Sequence, residues 1–493
     1  MNILRRPGLL IAVIGTFVIG FLIPAWFKPG PAPPLRIGKD TTHVTSPLLE
    51  DGSIDFAGAL DRQLSIEVRP QDNAAVLLDQ AFGPSSIDRK LRQKYLQAIG
   101  VEALPEQGDY VRFRAGLFKQ RFEGVEDPDA AIEAWIAQSN QAGRQPWNAE
   151  SNPAAEEWLQ ANVKPLELIE QASKRHQYYV PKVEFFQDTT SYNLKPAAEL
   201  LVARAMRRLG HGDTAGAWDD LRAGHRLASL ASHNCLTTIP FNLAISADSL
   251  IRTGDVALIE TGLSADQARN CIADIDQLPG FVSIADLIDQ GERYHMLFTI
   301  MSAMEEKSTL DVNVMLKQAN QTLDALIEAL KSSDWETQKQ ALFQVIDQVE
   351  DRITQLKKST VSPMSQILMT RHTASLIAAD TLLTNGLTLV NLQQVILTHL
   401  RGQVHRDLVR LGFALAAHRA DHLAYPKSLD ELVPAYLPAI PLDRFTGKPL
   451  VYVPGDNGFQ IYSVGVNQQD DRGVMSGPAD DVLFEVPAAR ETP

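Results

Sequence analysis

Cysteine is almost absent from this sequence: Cys235 and Cys271 are the only two in 493 residues. That scarcity excludes a disulfide-framework protein and a cysteine-rich zinc protein. Positive charge is also in deficit. Lys and Arg total 46 against 60 Asp and Glu, a formal net charge of −14, so nucleic acid is not an expected partner. No G-x-S-x-G, Walker A, G-x-G-x-x-G or C-x-x-C signature occurs, which removes the commonest sequence evidence for hydrolase, nucleotide and redox chemistry. What remains is ordinary for a chain that buries a core: 45% hydrophobic and 22% charged residues, at a length suited to two or three domains.

One long apolar run stands at the N-terminus. Arg5 and Arg6 precede Leu9 to Phe27, a stretch with no charge and a single hydroxyl, Thr16. As a helix it would span about 28 Å, the thickness of a bilayer's hydrocarbon core. The flanking arginines favour the cytoplasmic side and send the rest of the chain outward. A retained single-pass anchor in a bacterial-type inner membrane is the primary expectation. A cleaved signal peptide is the alternative, with Ile23-Pro24-Ala25 at the cleavage point. Residues 28–35 then form a Pro-rich spacer. In an oxidising compartment Cys235 and Cys271 could pair, or both could be small buried hydrophobes.

The body reads as mainly helical. Asn73 to Phe82 is a short apolar helix closed by Gly83-Pro84, and Ser86 to Ile99 is another ended by Gly100. Residues 108–115 alternate and read as extended. Asp127-Pro128 and Asn152-Pro153 are N-caps followed by proline at the first helical position. The second of them opens a helix expected from Ala154 to Tyr179. Two helices, Ala197 to Leu209 and Thr214 to Leu230, flank a Gly210-His211-Gly212-Asp213 turn, and the pair resembles one tetratricopeptide-type unit. Ser264 and Gln267 form a capping box, and residues 284–304 read as one further helix. Leu316, Ala319, Leu323, Leu326 and Leu330 are spaced 3-4-3-4, and Leu342, Ile346, Val349, Ile353 and Leu356 are spaced 4-3-4-3. This predicts an internal antiparallel hairpin over 310–358, with a dimer seam as the alternative. The apolar stretch 364–400 is interrupted by Asp380, Asn385 and Asn391, which predicts buried helices and not a second membrane span. A long helix follows, from about Asn391 to His422.

The texture changes after that helix. A Tyr425-Pro426-x-x-Leu429-x-x-Leu432 step leads to an Asp443-Arg444-Phe445-Thr446-Gly447 turn. Leu450 to Val453, a Gly455-Asp456-Asn457-Gly458 turn and Phe459 to Val464 predict a hairpin. An acidic loop and Val482-Leu483-Phe484 follow. In this order, residues 405–485 resemble the head domain of the major pseudopilin of type II secretion systems. The resemblance implies a small α+β head with an antiparallel sheet, and a calcium ion in the acidic loop. By position its ligands would be Asn467, Asp470, Asp471, Asp480 and Asp481; without the ion the segment is a solvated acidic loop. The chain departs from the family in three places. Asn467 stands where an acidic residue is usual, and Arg444 lengthens the Asp443…Gly447 turn by one residue. Gly8-Leu9 lacks the Gly-Phe processing site and following glutamate, and residues 28–400 separate the apolar run from the head.

Other candidates for chemistry are few. His418 and His422 lie four apart on one helix and could share a metal, though neither a Glu after the first His nor a third ligand is evident. His225 and His233 lie near Cys235, but a thiol–imidazole pair requires contact in space. Glu292-Arg293-Tyr294 could be a functional patch or an ordinary ion pair. The expected organisation is a signal-anchor (1–27), a linker (28–35), a mixed helical entry region (36–125), a helical body (126–400) and a pseudopilin-like head (401–493). The expected function is a membrane-anchored extracytoplasmic scaffold with protein partners, near secretion or pilus-like machinery. The rival is an extracytoplasmic hydrolase-type enzyme with a site built from dispersed residues.

Overall fold

The computed structural model describes residues 32–84, 87–113, 127–182, 193–234, 238–304, 309–332, 335–358, 370–385, 387–474 and 480–487. It is mainly helical, with one small antiparallel sheet near the C-terminus. In chain order the helices are α1 (Phe56–Leu64), α2 (Ala74–Phe82), α3 (Arg92–Ile99), α4 (Pro128–Gln141), α5 (Pro153–Ala161), α6 (Val163–Ser173), α7 (Leu194–Gly210), α8 (Thr214–Ser232), α9 (Thr238–Glu260) and α10 (Ala265–Asp276). Next comes a composite α11, made of Ile284–Leu287, a π-helical turn Ile288–Glu292 and Arg293–Met304. Then follow α12 (Val312–Ala329), α13 (Trp335–Lys358), α14 (Arg371–Asn385) and α15 (Leu387–His422). The strands are β1 (Val451–Pro454), β2 (Phe459–Ser463) and β3 (Val482–Val486). The apolar run Leu9–Phe27 lies outside the described residues, and among the described residues no helix is long and apolar enough to cross a membrane.

The chain forms two compact units, each gathered from separated stretches. Among the described residues the first is drawn from 32–63, 238 and the stretch 283–396. Its centre is α12, which packs on α11, α13 and α14. The predicted stripe is the buried face: Leu316, Ala319, Leu323 and Leu326 are fully enclosed, and Leu342 and Val349 of α13 are nearly so. The hairpin expected over 310–358 is therefore present, but as part of a bundle. A polar edge of α12 beside this stripe holds the end of the Pro-rich spacer and the chain that follows it. Asn313 donates to the Pro34 carbonyl and accepts from the Arg36 amide, and Asn320 donates to the Thr41 carbonyl. The helix expected over 284–304 is interrupted by the π turn, a local insertion that apolar periodicity does not encode. Just after it Arg293 is 2% exposed and is satisfied by Asp289, Asn320 and Asp324. The Glu292-Arg293-Tyr294 motif is thus centred on an inter-helix ion pair.

The second unit comprises residues 64–235, 239–282 and 397–493. Here α2 packs on α6, and α7 on α8. The α7–α8 hairpin has the predicted turn, with Asp213 capping α8 through the Gly216 amide. Gly210 is required there, because a β-carbon on it would lie 1.9 Å from the Trp147 carbonyl oxygen. The helix expected over 154–179 is instead two helices. Asn162, fully buried, breaks it by turning its side chain onto Val111: Nδ2 donates to the Val111 carbonyl and Oδ1 accepts from the Val111 amide. The same bonds explain why 108–113 is not a strand, since its backbone pairs with a side chain and not with a neighbouring strand. The helix expected from Ser86 begins at Arg92, after a turn at Asp88–Leu91.

The sheet order is β1-β2-β3, antiparallel throughout. The Gly455–Gly458 turn closes the first hairpin with a bond from the Gly455 amide to the Gly458 carbonyl. Gly412 of α15 brings the sheet close: a β-carbon there would meet the Phe484 ring at 2.7 Å. Phe413, Phe445, Phe459 and Phe484 are all buried.

Candidate functional site

Two clusters in the second unit concentrate charge. The first is buried. His225 of α8 places Nδ1 2.8 Å from Asp248 Oδ1 and Nε2 3.1 Å from Asp255 Oδ2. The two aspartates are seven residues apart on α9, two turns and about 10.5 Å of rise, so one ring bridges them. Both nitrogens face carboxylate oxygens, so both carry protons and the ring is an imidazolium. Burial alone would lower the imidazole pKa, but Asp255 and Asp248 outweigh it and raise it to about 10. Burial pushes the Asp255 carboxyl upward, and its Oδ1 has no hydrogen-bond partner among the described residues.

Arg406 of α15 extends the network. It donates to Ser229 Oγ (2.7 Å) and to the Pro279 carbonyl (2.9 Å), lies 3.8 Å from Asp248 and sits 4.1 Å over the Phe281 ring. Burial, with Arg252 beside it, holds the His405 pKa down at about 3, so that ring is neutral. His225, Asp248, Arg252, His405 and Arg406 line a cavity with room for about one water molecule. An imidazole that activates a nucleophile needs a free lone pair, and His225 has none to offer. The cluster ties α8, α9 and α15 together through charge. Sequence reasoning missed Asp248, Asp255 and Arg406. The available signal was two aspartates at one helical phase in an apolar helix, because buried charges require partners.

The second cluster is the acidic loop after β2. Asp443 organises its base, accepting from the Phe445 amide, Ser463 Oγ and the Val464 amide. The extra residue Arg444 pairs with Asp407 of α15 (Nε–Oδ2 2.6 Å), which gives that insertion a role as a tether. Of the five residues implied as ligands, the structure separates two roles. Asp480 accepts from the Val466 and Asn467 amides and closes the loop. It lies so near Gly465 (φ 65°) that a β-carbon there would meet its carbonyl oxygen at 2.3 Å. Asp470, Asp471 and Asp481 share one charge environment. Asp481 is 2% exposed, and its Oδ2 accepts from the Gly473 amide while Oδ1 has no partner among the described residues. Burial, with Asp471 and Asp470 nearby, raises its pKa. Asn467 donates from Nδ2 to Asp471 Oδ2 at 2.8 Å, a bond that aspartate at 467 would turn into repulsion. Among the described residues no group of three or more His, Cys, Asp or Glu is arranged to hold a metal ion. Residues 475–479 of this loop lie outside the described set.

The remaining candidates are dispersed. Cys271 is buried on α10, its thiol pKa raised by burial, and Cys235 lies outside the described residues. His233 is exposed and bonds the Gly280 carbonyl. His418 and His422 face each other at the end of α15, far along that helix from His405. No known family model, curated protein or solved structure matches this chain.

Proposed function

We propose that this is a membrane-anchored extracytoplasmic scaffold whose C-terminal head is an interaction module for secretion or pilus-like machinery. The N-terminal run supplies the anchor, and the helical units supply packing and contact surface. The observation that carries the reading is the C-terminal arrangement: a long helix, a turn on Asp443, a three-stranded antiparallel sheet and an acidic loop folded back by Asp480. That order of elements supports a pseudopilin-like head. The orphaned, buried Oδ1 of Asp481 beside Asp470 and Asp471 fits a hard cation. Asp470, Asp471 and Asp481 are not gathered as a metal site in this structure, so the loop would have to draw them together around calcium, with loop carbonyls supplying further oxygens.

The test is affinity capture of tagged full-length protein from detergent-solubilised membranes, beside a chain truncated after residue 422, which keeps α15 whole. Co-enrichment of secretion or pilus components with the full chain, lost on truncation, is the expected result. Partners retained equally by both forms would overturn the role given to the head.

A further inference from the structure

The acidic loop does not use the histidine pair at the end of α15, and that pair has the makings of a separate site. His418 and His422 are one helical turn apart and their ring centroids are 4.4 Å apart. Two imidazoles binding one metal in cis, each through a bond of about 2.1 Å, bring their ring centroids to about 4.5–5 Å. The ring separation is close to that range, with the planes tilted by 36°.

A hydrogen bond orients the His418 ring. Its Nδ1 lies 3.0 Å from the Ala424 carbonyl, which can only accept, so Nδ1 donates there and Nε2 is the nitrogen left for a metal. Metal-bound histidines are commonly oriented by such a bond from their other nitrogen to a carbonyl. Nε2 of His418 and both nitrogens of the exposed His422 have no hydrogen-bond partner among the described residues. The charges around the pair are mixed, with Arg419 in the same turn and Arg269 paired to Asp421. The pair occupies the last turn of α15, where the carbonyl end of the helix dipole lies. The Asp421 carboxylate stands between them in sequence, held by Tyr436 and Arg269.

We infer that His418 and His422 form an open two-histidine site for a borderline divalent metal such as Cu2+, Ni2+ or Zn2+, with solvent or a partner's side chain completing the coordination. Imidazole donors select these ions over calcium or magnesium. The ion would staple the last turn of α15 at the point where Leu423 (φ 63°) leaves the helix for the Tyr425-Pro426 turn. The inference rests on these two residues and not on the role proposed for the head.

The experiment uses the full chain in detergent, purified without a histidine tag, stripped with chelator and titrated with Cu2+ and Ni2+. One saturable site is expected, with a copper ligand-field band and a raised melting temperature. His422→Ala, at an exposed position, should weaken binding at that site by at least about tenfold, while His372→Ala should leave it unchanged. Diethyl pyrocarbonate labelling of the unmodified protein gives a readout independent of any variant: bound metal should protect His418 and His422 together. Equal binding by wild type and His422→Ala, no saturable site in the wild type, or protection of other histidines instead would overturn the inference.

Discussion

Nδ1 of His225 and Oδ1 of Asp248 lie 2.8 Å apart in a part of the protein closed to solvent. The other nitrogen of the same ring meets Asp255, so one imidazolium neutralises two buried carboxylates from different turns of α9. Removing one member of such a group leaves uncompensated charge in a low-dielectric interior. His225→Ala should destabilise the second unit by about 3–5 kcal/mol, measured by urea denaturation at pH 7. An unchanged midpoint would show that the network contributes nothing.

The same ring gives a pH dependence of definite sign. Its folded pKa, raised by the two carboxylates to about 10, exceeds the ordinary value of 6.5. Its stabilisation is thus complete below pH 6.5 and lost as pH rises through about 10. Thermal melts of the wild type should fall across that window, and those of His225→Ala should fall less steeply.

Asp79 gives a pH dependence of the same sign for a different reason, because burial disfavours its charged form. It is buried against Tyr95, whose hydroxyl donates to Oδ2 at 2.6 Å, and burial raises its pKa from 3.8 to about 7. The folded state prefers the protonated acid, so this contribution is greatest below pH 3.8 and lost as pH rises through about 7. Asp79→Asn keeps an acceptor for Tyr95 without the buried charge. At pH 8 the variant should be more stable than wild type by roughly 1–3 kcal/mol, and at pH 5 the gain should vanish. A gain equal at both pH values would mean that the charge of Asp79 is not the cause.

In the acidic loop, Asp481→Asn should separate calcium binding from folding. The wild type should gain thermal stability and protease resistance in millimolar calcium relative to chelator, and the variant should not. Asp480→Asn should instead weaken the loop in both conditions, because Asp480 serves backbone amides. If calcium protects neither protein, the proposed role of Asp470, Asp471 and Asp481 falls.

How much of this was legible in the sequence depends on the range of the interaction. Local devices could be read: the Asn152 cap, the Gly210–Asp213 turn, the Ser264–Gln267 capping box, the Gly455–Gly458 turn and the leucine stripe of α12 all stand where the pattern put them. Features that depend on distant partners could not. Asn162 looks like any polar residue in a helix until Val111 arrives from 51 positions away. His225 looked like a neighbour of Cys235, whereas its partners are 23 and 30 residues further along. The π turn immediately precedes the buried guanidinium of Arg293, and apolar periodicity encodes neither. In the acidic loop, sequence singled out Asp480 by its charge, whereas its bonds to the Val466 and Asn467 amides depend on how the loop folds back.

Gly412 tests the packing that positions the head. The Phe484 ring lies against its α-carbon, and an added methyl would approach Cε1 at 2.7 Å and Cζ at 3.0 Å. The ring cannot retreat freely, since Phe484 is 1% exposed and stacks against Phe459 with centroids 6.3 Å apart. Alanine favours a helix over glycine by about 1 kcal/mol, while overpacking a filled core costs about 1–3 kcal/mol, so the clash should prevail. Gly412→Ala should therefore loosen the sheet from α15, seen as faster amide exchange in β2 and β3 with α12 of the first unit unaffected. Slower exchange in the strands would show that the helix gain exceeds the clash, and that the sheet has room to move away from α15.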